Sequence, residues 1–176
     1  MKTTCISLLI MTMTLSACHT KRNEQIIDDP GSVTVSSAPT KKTGMKGFKT
    51  NIEKDSLENK DYRKVLYTGE HMQLVLMSLK PGEEIGEEIH LKSDQFFRIE
   101  SGSGKCTVND TVYDVKAGDV VLVPWGAKHN VVNTDARNDL KLYTIYAQPN
   151  HRDGIIRSTK DEAEKNEARF DGHTTE

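Results

Sequence analysis

The stretch Pro81 to Gly104, PGEEIGEEIHLKSDQFFRIESGSG, constrains the chain more than any other. Glu88 and His90 stand on alternate positions of an expected strand, so their side chains leave by the same face. A second run, QFFRIE, alternates so that Gln95, Phe97 and Ile99 share one face while Phe96, Arg98 and Glu100 share the other. Gly82, Gly86, Gly102 and Gly104 punctuate these runs and supply turns. A carboxylate, an imidazole and an amide oxygen converging on a sheet face make three of the four ligands that a mid-row divalent metal accepts. His129 is the candidate for the fourth.

Length and charge set the outer bounds. The chain has 176 residues, enough for one domain plus tails. With 24 Lys and Arg against 26 Asp and Glu, the formal net charge is -2. That near-balance gives no electrostatic reason to expect a nucleic-acid partner. Apolar residues make up 35% of the chain, so the core must be concentrated in part of it.

The N-terminal segment is not part of that core. Met1 to Cys18 reads MKTTCISLLIMTMTLSAC, with a cationic start at Lys2 and an apolar stretch, Ile6 to Leu15, too short to span a bilayer. Its end, Leu15-Ser16-Ala17-Cys18, resembles a bacterial lipoprotein lipobox. The resemblance implies lipidation of the Cys18 thiol, cleavage before it, and membrane attachment of the new N-terminus in a bacterial cell envelope. Residues 1–17 are thus expected to be a lipoprotein signal peptide. Residues 18–48, rich in Lys, Thr, Ser, Asp, Pro and Gly, are expected to form a disordered, flexible tether, with Val33 to Ser37 able to form a short strand. Of three cysteines, Cys5 falls in the signal and Cys18 is the expected lipid site, leaving Cys106 without a disulfide partner. Its alternation with Lys105 and Thr107 suggests a small buried side chain, with a catalytic thiol the weaker reading.

Residues 49–176 are expected to be the folded domain. Asn51 to Asn59 reads as a short helical or irregular entry. Strands then follow closely: Arg63 to Gly69, Met72 to Lys80, QFFRIE, KCTVND, Thr111 to Val115, Val120 to Pro124, His129 to Asn133, and Leu140 to Ala147. The run Met72 to Lys80 is nearly all apolar, as in a strand covered on both faces. Asn109-Asp110 separates two alternating runs and reads as a hairpin turn. Many short strands between Gly, Asn-Asp and Pro turns indicate an all-β sandwich or barrel. No phosphate-cradling glycine loop or hydrolase elbow is present in the sequence. Thr159 to Phe170 reads as an exposed helix capped by Thr159 or Ser158, and DGHTTE as a frayed end.

A second motif completes the pattern. In GDVVLVPWGAKHNVVN, Gly118 opens a strand, Pro124 and Gly126 turn the chain, and His129 begins the return facing inward. Here the chain resembles the cupin superfamily, whose signatures are G(X)5HXH(X)3-4E(X)6G and G(X)5PXG(X)2H(X)3N. Gly118, Pro124, Gly126, His129 and Asn133 match the second completely. Gly82, Glu88, His90, Gln95 and Gly102 match the spacing of the first, with Glu88 in place of a His and Gln95 in place of a Glu. The resemblance covers residues 62–148 or so. It implies a jelly-roll barrel (a double-stranded β-helix) with a short C-terminal helix, and a divalent metal among Glu88, His90, Gln95 and His129. The exchange keeps one carboxylate, so the set retains its usual charge. Mixed nitrogen and oxygen ligands suit Zn, Mn, Fe or Ni without choosing among them.

Plainer readings stand beside this one. His90 or His129 taken singly is more often a hydrogen-bonded structural histidine, and Glu88 can belong to a solvated acidic run with Glu83, Glu84 and Glu87. Trp125 belongs to a turn rather than a stacking platform, Phe96 and Phe97 to core or dimer packing, and His71, His151 and His173 to the surface. Three functions follow from the resemblance. One is a metal-binding envelope cupin for a small polar or sugar-like ligand, similar to proteins of the mannose-6-phosphate isomerase-like group. Another is a metal-dependent isomerase or oxygenase, with Tyr143, Tyr146 and Arg98 as conceivable proton carriers. The third is a binding or structural protein without turnover. Cupins often pair through sheet edges, which makes a homodimer an expectation as well.

Overall fold

The computed structural model describes residues 44–176. The expected signal segment with Cys5, the expected lipid site Cys18 and the expected strand at Val33 to Ser37 lie outside the described residues. A short helix, α1 (Ile52–Glu58), enters the domain, capped by the Asn51 side chain, which accepts from the Lys54 N–H at 3.1 Å. Ten strands follow: β1 (Arg63–Thr68), β2 (Gln73–Leu79), β3 (Glu88–Ile89), β4 (Asp94–Ser101), β5 (Ser103–Val108), β6 (Thr111–Lys116), β7 (Val120–Val123), β8 (Lys128–Asn133), β9 (Leu140–Ala147) and β10 (Ile156–Arg157). A second helix, α2 (Lys160–Lys165), lies near the end.

The strands form two antiparallel sheets, ordered β10-β1-β2-β9-β4-β7 and β3-β8-β5-β6. Their inward faces enclose one core, with Val75, Leu79, Phe97, Ile99, Val131, Leu140 and Leu142 among its buried members. This is the all-β jelly roll that the strand spacing calls for. Alternation explains each face: Gln95, Phe97 and Ile99 point in, while Phe96 turns out against Tyr143. The central strand β2 is buried along nearly its whole length, as its apolar run requires. Cys106 is a buried free thiol, its pKa pushed up to about 11 by burial, which suits packing and not nucleophilic chemistry.

One turn and one close approach fix the register. β5 and β6 are joined through Asn109-Asp110, with Val108 opposite Thr111 and Asn109 in the left-handed region at φ 50°. At Gly104 a Cβ would stand 2.3 Å from the Val132 carbonyl oxygen, so only glycine lets β5 lie this close to the chain beside it.

The C-terminal region departs from expectation. The helix ends at Lys165, and the chain returns extended so that Arg169 bridges to His151. The helix is too short to fill Thr159 to Phe170 because the residues after Asn166 take their hydrogen bonds from His151's neighbours: Arg152 N–H donates to Ala168 O at 2.9 Å and Phe170 N–H to Asn150 O at 3.1 Å. The final residues are held as well. Thr175 N–H donates to Thr68 O at 2.9 Å, and Thr175 Oγ1 accepts from the Thr68 N–H at 2.8 Å. Glu176 in turn accepts from the backbone N–H groups of Lys46 and Gly47, so residues expected in the tether meet the C-terminus. Among the described residues no helix is long and apolar enough to cross a membrane.

Candidate metal centre

The register of the smaller sheet assembles the site. β3 pairs with β8 so that Glu88 stands directly opposite His129, and His90 follows two residues after Glu88 on the same side. Gly126 N–H donates to His90 O at 2.8 Å, which ties the first motif to the turn of the second. One ligand atom from each of Glu88, His90 and His129 lies within 4.8 Å of the others, a cluster able to hold a metal ion. His90 Nε2 is 3.2 Å from Glu88 Oε2, and His129 Nε2 is 4.0 Å from the same oxygen. Ligands about 2.0–2.2 Å from one ion stand roughly 3–4 Å apart, so these separations suit a shared ion.

The state of each group agrees with that use. His129 is 1% exposed, and its Nδ1 lies 3.1 Å from Ala127 O. A proton held there leaves the lone pair on Nε2, the atom facing Glu88. Burial lowers the His129 pKa; the Ala127 contact opposes the shift, His90 adds to it and Glu88 opposes it, and the ring stays on the neutral side. For Glu88, burial acts to raise the pKa, but His90, Arg63 and His129 outweigh it and keep the group ionised. A neutral imidazole and an ionised carboxylate are the forms that bind metal.

Gln95 comes from the facing sheet, on the inward face of β4. Two residues along, Phe97 sets its ring 6.0 Å from that of His129. The Gln95 Nε2 donates to Thr144 Oγ1 at 3.0 Å. Its Oε1 is buried without a partner, as is His129 Nε2, while His90 Nε2 faces the Glu88 carboxylate at 3.2 Å. Buried polar atoms in folded proteins are nearly always satisfied, so two bare acceptors and a buried carboxylate–imidazole pair in one barrel are an unusual concentration. They fit a cation, which offers what acceptors lack.

The structure therefore brings Glu88, His90 and His129 together and aims Gln95 into the same interior. It moves one residue from surface to site: His151 is 4% exposed, with Nε2 3.3 Å from the Tyr146 hydroxyl. Burial lowers its pKa well below the usual value, helped by Arg63, His90 and Arg169. Its position follows from Gln148, whose φ of 111° turns the chain out of β9 and folds the segment after it inward. Gln73 completes the fold-back, accepting from the His151 N–H at 2.9 Å. Tyr146 sets its ring 5.3 Å from that of His90, edge-on, whereas Tyr143 and Arg98 face away from the site. His71 and His173 are exposed, as expected, and so is Trp125. Arg63, buried beside Glu88, belongs to no motif; its alternation with the inward Val65 in RKVLYT is the available signal.

The comparisons agree with this geometry. The cupin domain model matches residues 75–146. The uncharacterized protein YrkC of Bacillus subtilis (strain 168) is 44% identical over 129 residues, 68% of this chain and 67% of its own. The uncharacterized protein L612 of Acanthamoeba polyphaga mimivirus is 40% identical over 112 residues, 62% of this chain and 70% of its own. The crystal structure of BH2720 from Bacillus halodurans matches with a TM-score of 0.67 at 39% identity, covering 70% of this chain and 98% of that one. With both motifs in sequence, the two-sheet barrel in structure and relatives at this identity, the chain belongs to the cupin family.

Proposed function

We propose that the protein is an envelope cupin, attached through lipid on Cys18, that holds a divalent metal with Glu88, His90, Gln95 and His129 and binds a small polar or sugar-like molecule beside it. The observation that supports this reading is the cluster of Glu88, His90 and His129 ligand atoms within 4.8 Å of one another, with bare acceptors on His129 and Gln95 in the same interior. A bound metal would supply Lewis acidity toward a ligand carbonyl or hydroxyl. Glu88 balances part of its charge, and the Ala127 carbonyl orients His129 for it. The ligand has somewhere to go: a cleft of about 240 Å³ is lined by Arg63, Glu88, His90, Asn150, His151 and Arg169.

A second reading, an isomerase-like activity similar to that of the mannose-6-phosphate isomerase-like group, is favoured by His151. Proton transfer between carbons needs a carrier other than the ligands, and this buried imidazole lines the cleft. Its strongly lowered pKa makes it a weak base, which ranks binding ahead of isomerisation. Calorimetric titration of the metal-stripped full-length chain with Zn²⁺, Mn²⁺, Fe²⁺ and Ni²⁺ tests the proposal. Saturable uptake near one ion per chain supports it, and no uptake of any of the four contradicts it. Turnover of sugars by the loaded protein that His151→Gln abolishes would move the second reading ahead of the first.

A further inference from the structure

Arg63 is a buried charge with few partners among the described residues. It is 7% exposed, and a guanidinium stays ionised wherever it is placed. Its nearest carboxylate oxygen is Glu88 Oε1, 3.8 Å from one terminal nitrogen and beyond hydrogen-bond range. Its Nε is buried with no partner, and the Tyr62 ring lies 5.6 Å from the guanidinium carbon. Arg157, its partner in the β1–β10 register, shows the contrast. There Nε and both terminal nitrogens donate to backbone carbonyls, although that side chain lies nearer the surface. A buried charge held so loosely costs stability unless an anion completes it.

The surroundings say where that anion sits. Arg63 and Glu88 together line two clefts, of about 250 and 240 Å³, and His90 opens onto the second. The acids at the rims are already engaged: Glu87 with Lys128 at 3.2 Å, Glu167 with Arg169 at 2.8 Å and Glu164 with Lys160 at 3.7 Å. Taking the metal reading of the preceding section, on which this inference rests, a divalent ion, Arg63 and Glu88 together carry a net charge of about +2. His90, His129 and Gln95 add none. A neutral sugar leaves that excess in place.

We infer that Arg63 is the ligand-anchoring residue of this site and that the ligand is a small carboxylate bearing a hydroxyl or oxo group, sugar acids included. The planar fork of the guanidinium matches a carboxylate, and the neighbouring oxygen of such a ligand is a donor suited to the metal. A single fork pairs with the two oxygens of one carboxylate, and inorganic phosphate is the competing ligand that the test includes.

The test is calorimetry on the full-length chain, metal-stripped and then either reloaded with Co²⁺ or left bare. Lactate, malonate and gluconate are titrated against glycerol, glucose and inorganic phosphate. At least one carboxylate is expected to bind more tightly than every comparator. Arg63→Gln should weaken it by about ten- to a hundredfold, the worth of a charge-assisted hydrogen bond, while Co²⁺ content stays unchanged. Arg63→Lys should weaken it less, and it decides the matter if the Gln variant does not fold by circular dichroism. Equal carboxylate affinity in the folded variant and the parent overturns the proposal, as does preference for phosphate or glucose, or no carboxylate binding below 10 mM or so. If the parent takes up no Co²⁺, the metal reading fails separately. Arg63 is then judged on the bare protein, where carboxylate binding lost in Arg63→Gln sustains it and no binding overturns it.

Discussion

Asn133 and Gln95 are both buried carboxamides on the barrel interior, and they are used in opposite ways. Asn133 closes its end of the barrel. Its Nδ2 donates to Leu79 O and Asn138 O, both at 2.9 Å, and its Oδ1 accepts from the Asp135 N–H at 2.9 Å. Gln95 makes one bond through its nitrogen and leaves its oxygen bare. Both residues fall on motif positions, yet one region spends its polar atoms on the fold and the other holds them free. A completed hydrogen-bond network marks structure; a bare acceptor in a dry interior marks a place reserved for something else.

Substituting each amide breaks this comparison most directly. Asn133→Leu should destabilise the domain by about 2 kcal/mol in urea unfolding, because one buried carbonyl, one partly buried carbonyl and one N–H lose this partner. A loss below about 1 kcal/mol would show that the turn is not organised by this side chain.

Acid should act on the site region before it acts on the closed end. His129 and His151 both have folded pKa values below the ordinary 6.5. In metal-free protein the unfolded chain therefore takes up protons first as the pH falls. Stability from these groups is full above about pH 6.5 and declines below it, by up to about 1.4 kcal/mol per pH unit for each. Glu88, whose pKa is also lowered, adds a further loss below its ordinary 4.5. Melting temperatures measured across pH 7 to 5 should fall, and His151→Gln should flatten the slope. A curve that is level over this range would contradict the neutral, buried state of both rings.

The smallest effect on stability belongs to Gln95. Gln95→Leu removes a bare buried oxygen along with one hydrogen bond, so unfolding free energy should change by less than about 1 kcal/mol while metal uptake drops. A large destabilisation with metal uptake intact would make Gln95 a structural residue like Asn133.

Sequence periodicity and motif spacing carried most of the barrel and the cluster of Glu88, His90 and His129. The alternation of Gln95, Phe97 and Ile99 survives in the structure because one face of β4 lines the core, and a one-residue slip would put all three outside. Glu88 lies beside a solvated acidic run, yet cross-strand pairing with His129 draws it in. What the sequence left hidden lies in irregular backbone. His151 follows Pro149 in a segment with no period, and its burial depends on the unusual φ of Gln148 and on bonds from Gln73, 78 residues away. The early end of α2 and the pairing of Thr175 with Thr68 have the same origin, since both are decided by distant backbone groups and not by local propensity. Arg63 was legible as a strand residue alone, because its buried placement depends on Glu88 across the barrel mouth.

The most direct measurement is elemental analysis of the full-length chain purified without chelator, beside the His90→Ala/His129→Ala double variant. The account predicts about one divalent metal per parent chain and a loss of nearly all of it in the folded variant. Metal-free parent protein with an intact fold that also takes up none on addition would contradict it, and would leave the bare acceptors on His129 and Gln95 without a cation to explain them.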